Sequence, residues 1–139
     1  MRVNVSWKGK LAFQGETESG HRLVFDVKPE SGGENRGPTP METLLAALAG
    51  CTGMDVAHIL AKKRINLKRF GITVDAERAA EHPKYFTKVA LTYDFEGKGI
   101  READVKQAIE LSVNKYCSVS AMLQDRVEIS YRWKIANLE

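Results

Sequence analysis

The sequence predicts an α+β fold in the order βββ-α-ββ-α-β, with two core helices packed on antiparallel sheet. Three observations carry this. Apolar residues alternate with polar ones near the start, in the middle and at the end of the chain, which is the period of a half-buried strand. A long apolar stretch opens at Thr39-Pro40 with the signals of a helix start. A second helical pattern separates the last two strand-like segments.

Taken in order, Val3, Val5 and Trp7 alternate with polar residues, and Lys8-Gly9-Lys10 turns the chain into residues 11–15. Ser19-Gly20 turns it again into residues 21–27, so these three segments read as an antiparallel meander. Residues 28–40 hold Gly32, Gly33, Gly37, Pro38 and Pro40 and read as a loop. Thr39 supplies a capping hydroxyl, Pro40 suits the first helical position, and Glu42 completes the capping-box spacing. The helix is expected to run to about Arg64 and, with little charge before Lys62, to be buried on most sides. Gly50 and Gly53 suggest the close approach of another backbone.

Residues 66–80 and 84–95 read as two long strands joined at Glu81-His82-Pro83. Gly97-Lys98-Gly99 leads into a helix at about 101–116, with Ala103, Val105, Ala108, Ile109, Leu111 and Val113 apolar. A short helical turn is expected at 118–123. Val127, Ile129, Tyr131, Trp133 and Ile135 then alternate to form the last strand. No repeat or linker interrupts 1–139, which reads as a single domain.

Lys and Arg total 21 against 18 Asp and Glu, a formal net charge of +3. That is too mild for a nucleic-acid surface, and a helix C-terminus accounts for the basic run Lys62-Lys63-Arg64. The longest unbroken apolar run, residues 44–49, is too short for a membrane span. No basic-then-apolar leader precedes the first strand. The expectation is a cytoplasmic protein with no nucleic-acid and no membrane partner. In that compartment thiols stay reduced, and a cysteine pair is catalytic more often than structural.

Cys51 and Cys117 are the two cysteines. Cys51 lies mid-helix, where an apolar setting raises a thiol pKa and the helix dipole helps little, so it needs a cation to react as thiolate. Arg36, in the glycine-rich loop ahead of the helix, is the best candidate, and Glu42 could hold its guanidinium. The bland alternative keeps Cys51 as a small buried hydrophobe, Arg36 as a solvated loop residue and Glu42 as a cap. A rival from another class is a metal site, because Cys51, Asp55 and His58 share a helix face at i, i+4 and i+7. A third reading is a dimer that binds a small apolar ligand among Leu45, Leu48, Met54, Met122 and Leu123.

The stretch from Arg36 to Cys51, RGPTPMETLLAALAGC, together with Asn114-Lys115-Tyr116-Cys117-Ser118-Val119-Ser120, resembles the OsmC/Ohr family of osmotically induced and organic hydroperoxide resistance proteins. The resemblance extends over nearly the whole chain and implies an OsmC-like fold in an intertwined homodimer, with active sites where the subunits meet. It also implies a thiol-dependent peroxidase of organic hydroperoxides. Cys51 would be the peroxidatic cysteine, Cys117 the resolving one, and Arg36 the cation that steadies thiolate and leaving oxygen. No bound cofactor or metal is implied. The reductant would be an external dithiol, for which the family favours lipoylated proteins. Typical peroxidase members carry the arginine-holding glutamate directly after the motif proline, where this chain has Met41 and places Glu42 one residue later. The residue after the resolving cysteine is commonly proline, and here it is Ser118. Both departures resemble the OsmC-like branch.

Overall fold

A computed structural model describes all residues, 1–139. The chain divides into two compact units, Met1–Leu45 and Ala46–Glu139, each described by itself.

In the first unit β1 (Val3–Trp7), β2 (Phe13–Thr17) and β3 (Arg22–Phe25) form an antiparallel meander. The register opposes Val5 to Gly15 and Trp7 to Phe13, and carries on to Leu23 and Phe25. These side chains therefore share one face. It is not covered within the unit: Val5 is 54% exposed and Trp7 65%. The loop after β3 is wound around the buried carboxylate of Asp26, which accepts from the backbone N–H of Val27 (2.8 Å), Arg36 (3.1 Å) and Glu34 (3.3 Å). Those donors, Val27 foremost, hold its carboxyl below the usual range. A Cβ at Gly33 would collide with the Val27 carbonyl, so this winding needs glycine there.

Helix α1 (Pro40–Lys62) begins with the capping box that its sequence predicts. Glu42 N donates to Thr39 Oγ1 (3.2 Å) and Thr39 N to Glu42 Oε2 (3.0 Å). At its end Arg64 N bonds Ala61 O and Ile65 N bonds Leu60 O, with Arg64 at φ +59°, a Schellman stop built without glycine. With 23 residues, α1 is long and apolar enough by length and composition to cross a membrane. That corrects the sequence expectation, because Ala, Gly and Thr extend the apolar stretch well beyond residues 44–49. Burial also departs from expectation. One stripe, Leu48, Thr52, Val56 and Leu60, is buried, while Ala47, Gly50, Met54 and Ala57 stay exposed. Gly50 has open space around it and Gly53 meets the side chain of Ile72, so neither glycine receives a backbone.

In the second unit β4 (Asn66–Arg78) and β5 (Phe86–Lys98) form a long antiparallel hairpin, and β6 (Glu128–Asn137) pairs with the other edge of β5. That pairing is parallel, so the sheet is mixed and the antiparallel expectation fails for β6. The reason is the crossover through α2 (Glu102–Leu111), a π-helical turn at Ser112–Tyr116 and α3 (Ser118–Leu123), which returns the chain to the end where β5 began. The helix expected at 101–116 is therefore two pieces of different winding. Its start is tied by Asp104, which accepts from Arg101 (2.7 Å) and Lys63 (3.1 Å). Val89, Leu91, Tyr93 and Phe95 of β5 and Val105, Ala108 and Ile109 of α2 form the core, with Phe70 stacked on Phe95 at 4.6 Å.

Candidate functional site

Cys51 sits on the half-buried flank of α1, next to Thr52 of the buried stripe. Cys117 follows the π-helical turn and is 3% exposed. Its N–H donates to Ser112 O at 2.7 Å, the i to i−5 bond that defines that turn. Its sulfur caps α3, accepting from Ser120 N–H at 3.4 Å. Both cysteines are free thiols.

The structure brings the two together. The Cys117 thiol is pushed up to about 11, first by burial, and then by a hydrogen bond and charge interaction with Cys51; the Ser120 N–H opposes both. The two thiols sit in unequal settings, Cys117 buried and Cys51 half-buried.

Beneath them runs a chain of buried hydroxyls absent from the sequence-based site. Tyr93 Oη lies 2.7 Å from Thr52 Oγ1, Thr52 Oγ1 lies 2.7 Å from Ser112 Oγ, and Ser112 Oγ donates to Asp55 Oδ2 at 2.8 Å. Each hydroxyl has one hydrogen, so the direction follows from the carboxylate end. Ser112 spends its hydrogen on Asp55, accepts from Thr52, and Thr52 accepts from Tyr93. Burial pushes the Tyr93 phenol up to about 12, so it stays a donor well into alkaline pH. A signal for these residues existed. Thr52 and Tyr93 each occupy a core position of an otherwise apolar periodic pattern, where a polar group requires a partner.

Asp55 also lines a cleft of about 540 Å³ with Met54, His58, Ile59, Lys62 and Tyr116. No three His, Cys, Asp or Glu side chains converge closely enough to hold a metal ion, so Cys51, Asp55 and His58 do not form the rival site. The candidate ligand-lining residues differ in exposure on the single chain. Leu48 is fully buried in the core, whereas Met54 and Met122 are 76% and 84% exposed.

Arg36 belongs to the first unit. Its guanidinium Nη2 pairs with Glu34 Oε2 at 3.0 Å, and Lys10 reaches the same carboxylate at 3.2 Å. The hydrogen bond from Arg36, then that from Lys10, holds the Glu34 carboxyl below its usual range. Glu42 is not the partner of Arg36, because its carboxylate closes the capping box on Thr39. The shift of one residue relative to the peroxidase pattern turns that carboxylate into a cap.

The family model described as OsmC-like protein matches residues 32–132, which include both cysteine motifs and the helices between them. The chain belongs to the OsmC-like family. This OsmC-like protein is 36% identical over 135 residues to Protein YhfA of Escherichia coli strain K12, across 97% of this chain and 98% of that one. A hypothetical protein from Aquifex aeolicus VF5 superposes with a TM-score of 0.81 at 33% identity, covering 98% of this chain and 97% of that one. An organic hydroperoxide resistance protein OsmC from Legionella pneumophila superposes with a TM-score of 0.69 at 19% identity, over 99% and 96% of the two chains. At that identity the likeness is one of fold.

Proposed function

We propose that this OsmC-like protein is a thiol peroxidase that reduces organic hydroperoxides to alcohols. The observation that carries the reading is the meeting of two free thiols, the half-buried Cys51 and the buried Cys117. The Cys51 thiolate attacks the distal peroxide oxygen. The O–O bond breaks, Cys51 becomes a sulfenic acid, and the alkoxide takes a proton to leave as the alcohol. Cys117 then attacks the Cys51 sulfur, forming the disulfide while the sulfenic hydroxyl takes the thiol proton and departs as water. An external dithiol, a lipoylated protein in this proposal, reopens the disulfide and is oxidised in turn. In this proposal Arg36, released from its ion pair with Glu34, supplies the positive charge that favours the thiolate and the leaving oxygen, and Glu42 contributes by fixing the start of α1. The work is that of a reduced compartment, the cytoplasm.

Adding cumene hydroperoxide or tert-butyl hydroperoxide to reduced protein and counting thiols tests this. Wild type is expected to lose both thiols, Cys117→Ser to stop at a trappable sulfenic acid on Cys51, and Cys51→Ser to stay reduced. Unchanged thiols in the wild type reject the peroxidase.

The protein is further proposed to act as a homodimer. Supporting this, the apolar face of the β1–β3 sheet and the Ala47, Gly50, Met54, Ala57 stripe of α1 lie exposed on one chain.

A further inference from the structure

We infer that Ser112 is a positioning residue, tied through Thr52 and Asp55 to α1 so that Cys117 is presented to Cys51 for disulfide closure. The inference rests on the two-thiol reading above, not on which oxidant acts. Ser112 is bonded at both of its ends, to Cys117 through its backbone and to the helix that carries Cys51 through its side chain. Its carbonyl accepts the Cys117 N–H at 2.7 Å, and its hydroxyl is fixed on α1 by Thr52, the residue after Cys51, and by Asp55, one turn further on. Ser112, Thr52 and Tyr93 are all fully buried, so water cannot replace a lost partner at little cost. The π-helical turn is the element that this bond secures. It widens the helix by one residue per turn, and its last hydrogen bond is the one to Cys117. Without the hydroxyl of Ser112, α1 and the turn lose the short link that sets their register at the thiols. Closing a disulfide needs sulfur in line with sulfur, and small misplacements are costly in rate.

Diamide reads the closure without a peroxide. Its N=N bond accepts the Cys51 thiol, forming an S–N bond as the second nitrogen takes the proton. Cys117 displaces that adduct, so the S–S bond forms, the S–N bond breaks and the hydrazine leaves with the thiol proton. First-thiol loss and disulfide appearance are followed separately by mass spectrometry in wild type, Ser112→Ala, Thr52→Ser and Tyr93→Phe. Ser112→Ala is expected to lose its first thiol at the wild-type rate but to close about tenfold more slowly. Thr52→Ser, which keeps the link, and Tyr93→Phe, which removes only the far end of the chain, are expected to close within about twofold of wild type. Closure at the wild-type rate in Ser112→Ala overturns the inference. So does equal slowing in Tyr93→Phe, since that is general loosening of the core, and so does a wild type in which diamide closes no Cys51–Cys117 bond. Fast diamide closure with thiols inert to hydroperoxide would remove the peroxidase and leave the positioning role standing.

Discussion

A thiol held protonated to about pH 11 is a poor nucleophile at neutral pH, yet resolution requires Cys117 to attack. The causes of that shift suggest a way out. Burial is the largest cause and is permanent, and the hydrogen bond and charge interaction with Cys51 add to it. Oxidation of Cys51 alters that contribution, so the state of the first thiol bears on the second. Removing Cys51 imitates this. In Cys51→Ala, which leaves no acceptor at that position, the Cys117 thiol is expected to titrate below 11 and still above the ordinary 9.0, because burial remains. Thiolate absorbance in the ultraviolet, followed against pH beside the Cys117→Ser variant, measures it. A Cys117 titration unchanged in Cys51→Ala would show that Cys51 contributes nothing to the shift.

At the scale of elements, the end of α1 is a place where local geometry and residue type disagree. Arg64 occupies the left-handed position of a Schellman stop, which costs a side chain roughly 1 kcal/mol that glycine avoids. Arg64→Gly is expected to stabilise the fold by about 0.5–1 kcal/mol in urea unfolding, and a loss of stability would mean that the Arg64 side chain makes a compensating contact. Such local signals were the most legible part of the chain. The capping box at Thr39 and Glu42, the strands and the short α3 follow from residue type and period, because each is a short-range preference. The direction of β6 did not follow from alternation, which makes a strand without orienting it. The intervening helix was the clue, since a helical crossover commonly returns a chain parallel. The candidate site divides the same way. Two cysteines in motif settings could be named from sequence, whereas the hydroxyl chain joins Thr52, Tyr93 and Ser112 across 41 and 60 residues of separation and needs the packed fold to exist. Glu42 was open between two roles, and the hydrogen bond to Thr39 places it as the cap.

For the whole molecule, the unspent apolar surface is the main physical problem. A helix as apolar as α1 buries a single stripe within its own chain, and its small residues leave a smooth flank on which a second helix can pack closely. Gly50 turns this into a decisive test because nothing lies within 4 Å of the position a Cβ would take there. In an isolated chain, Gly50→Gln only replaces a poor helix former by a good one and should stabilise α1 by about 0.5–1 kcal/mol. In a dimer packed along this flank, the same side chain must be forced into a close contact and should drive the subunits apart. Sedimentation equilibrium is therefore expected to give twice the 15.5 kDa chain mass for wild type and a shift toward the single-chain mass for Gly50→Gln. A wild type that sediments as one chain would remove the homodimer, and a dimeric Gly50→Gln of wild-type affinity would move the interface away from this flank of α1, leaving the β1–β3 face around Trp7 as the surface to mutate next.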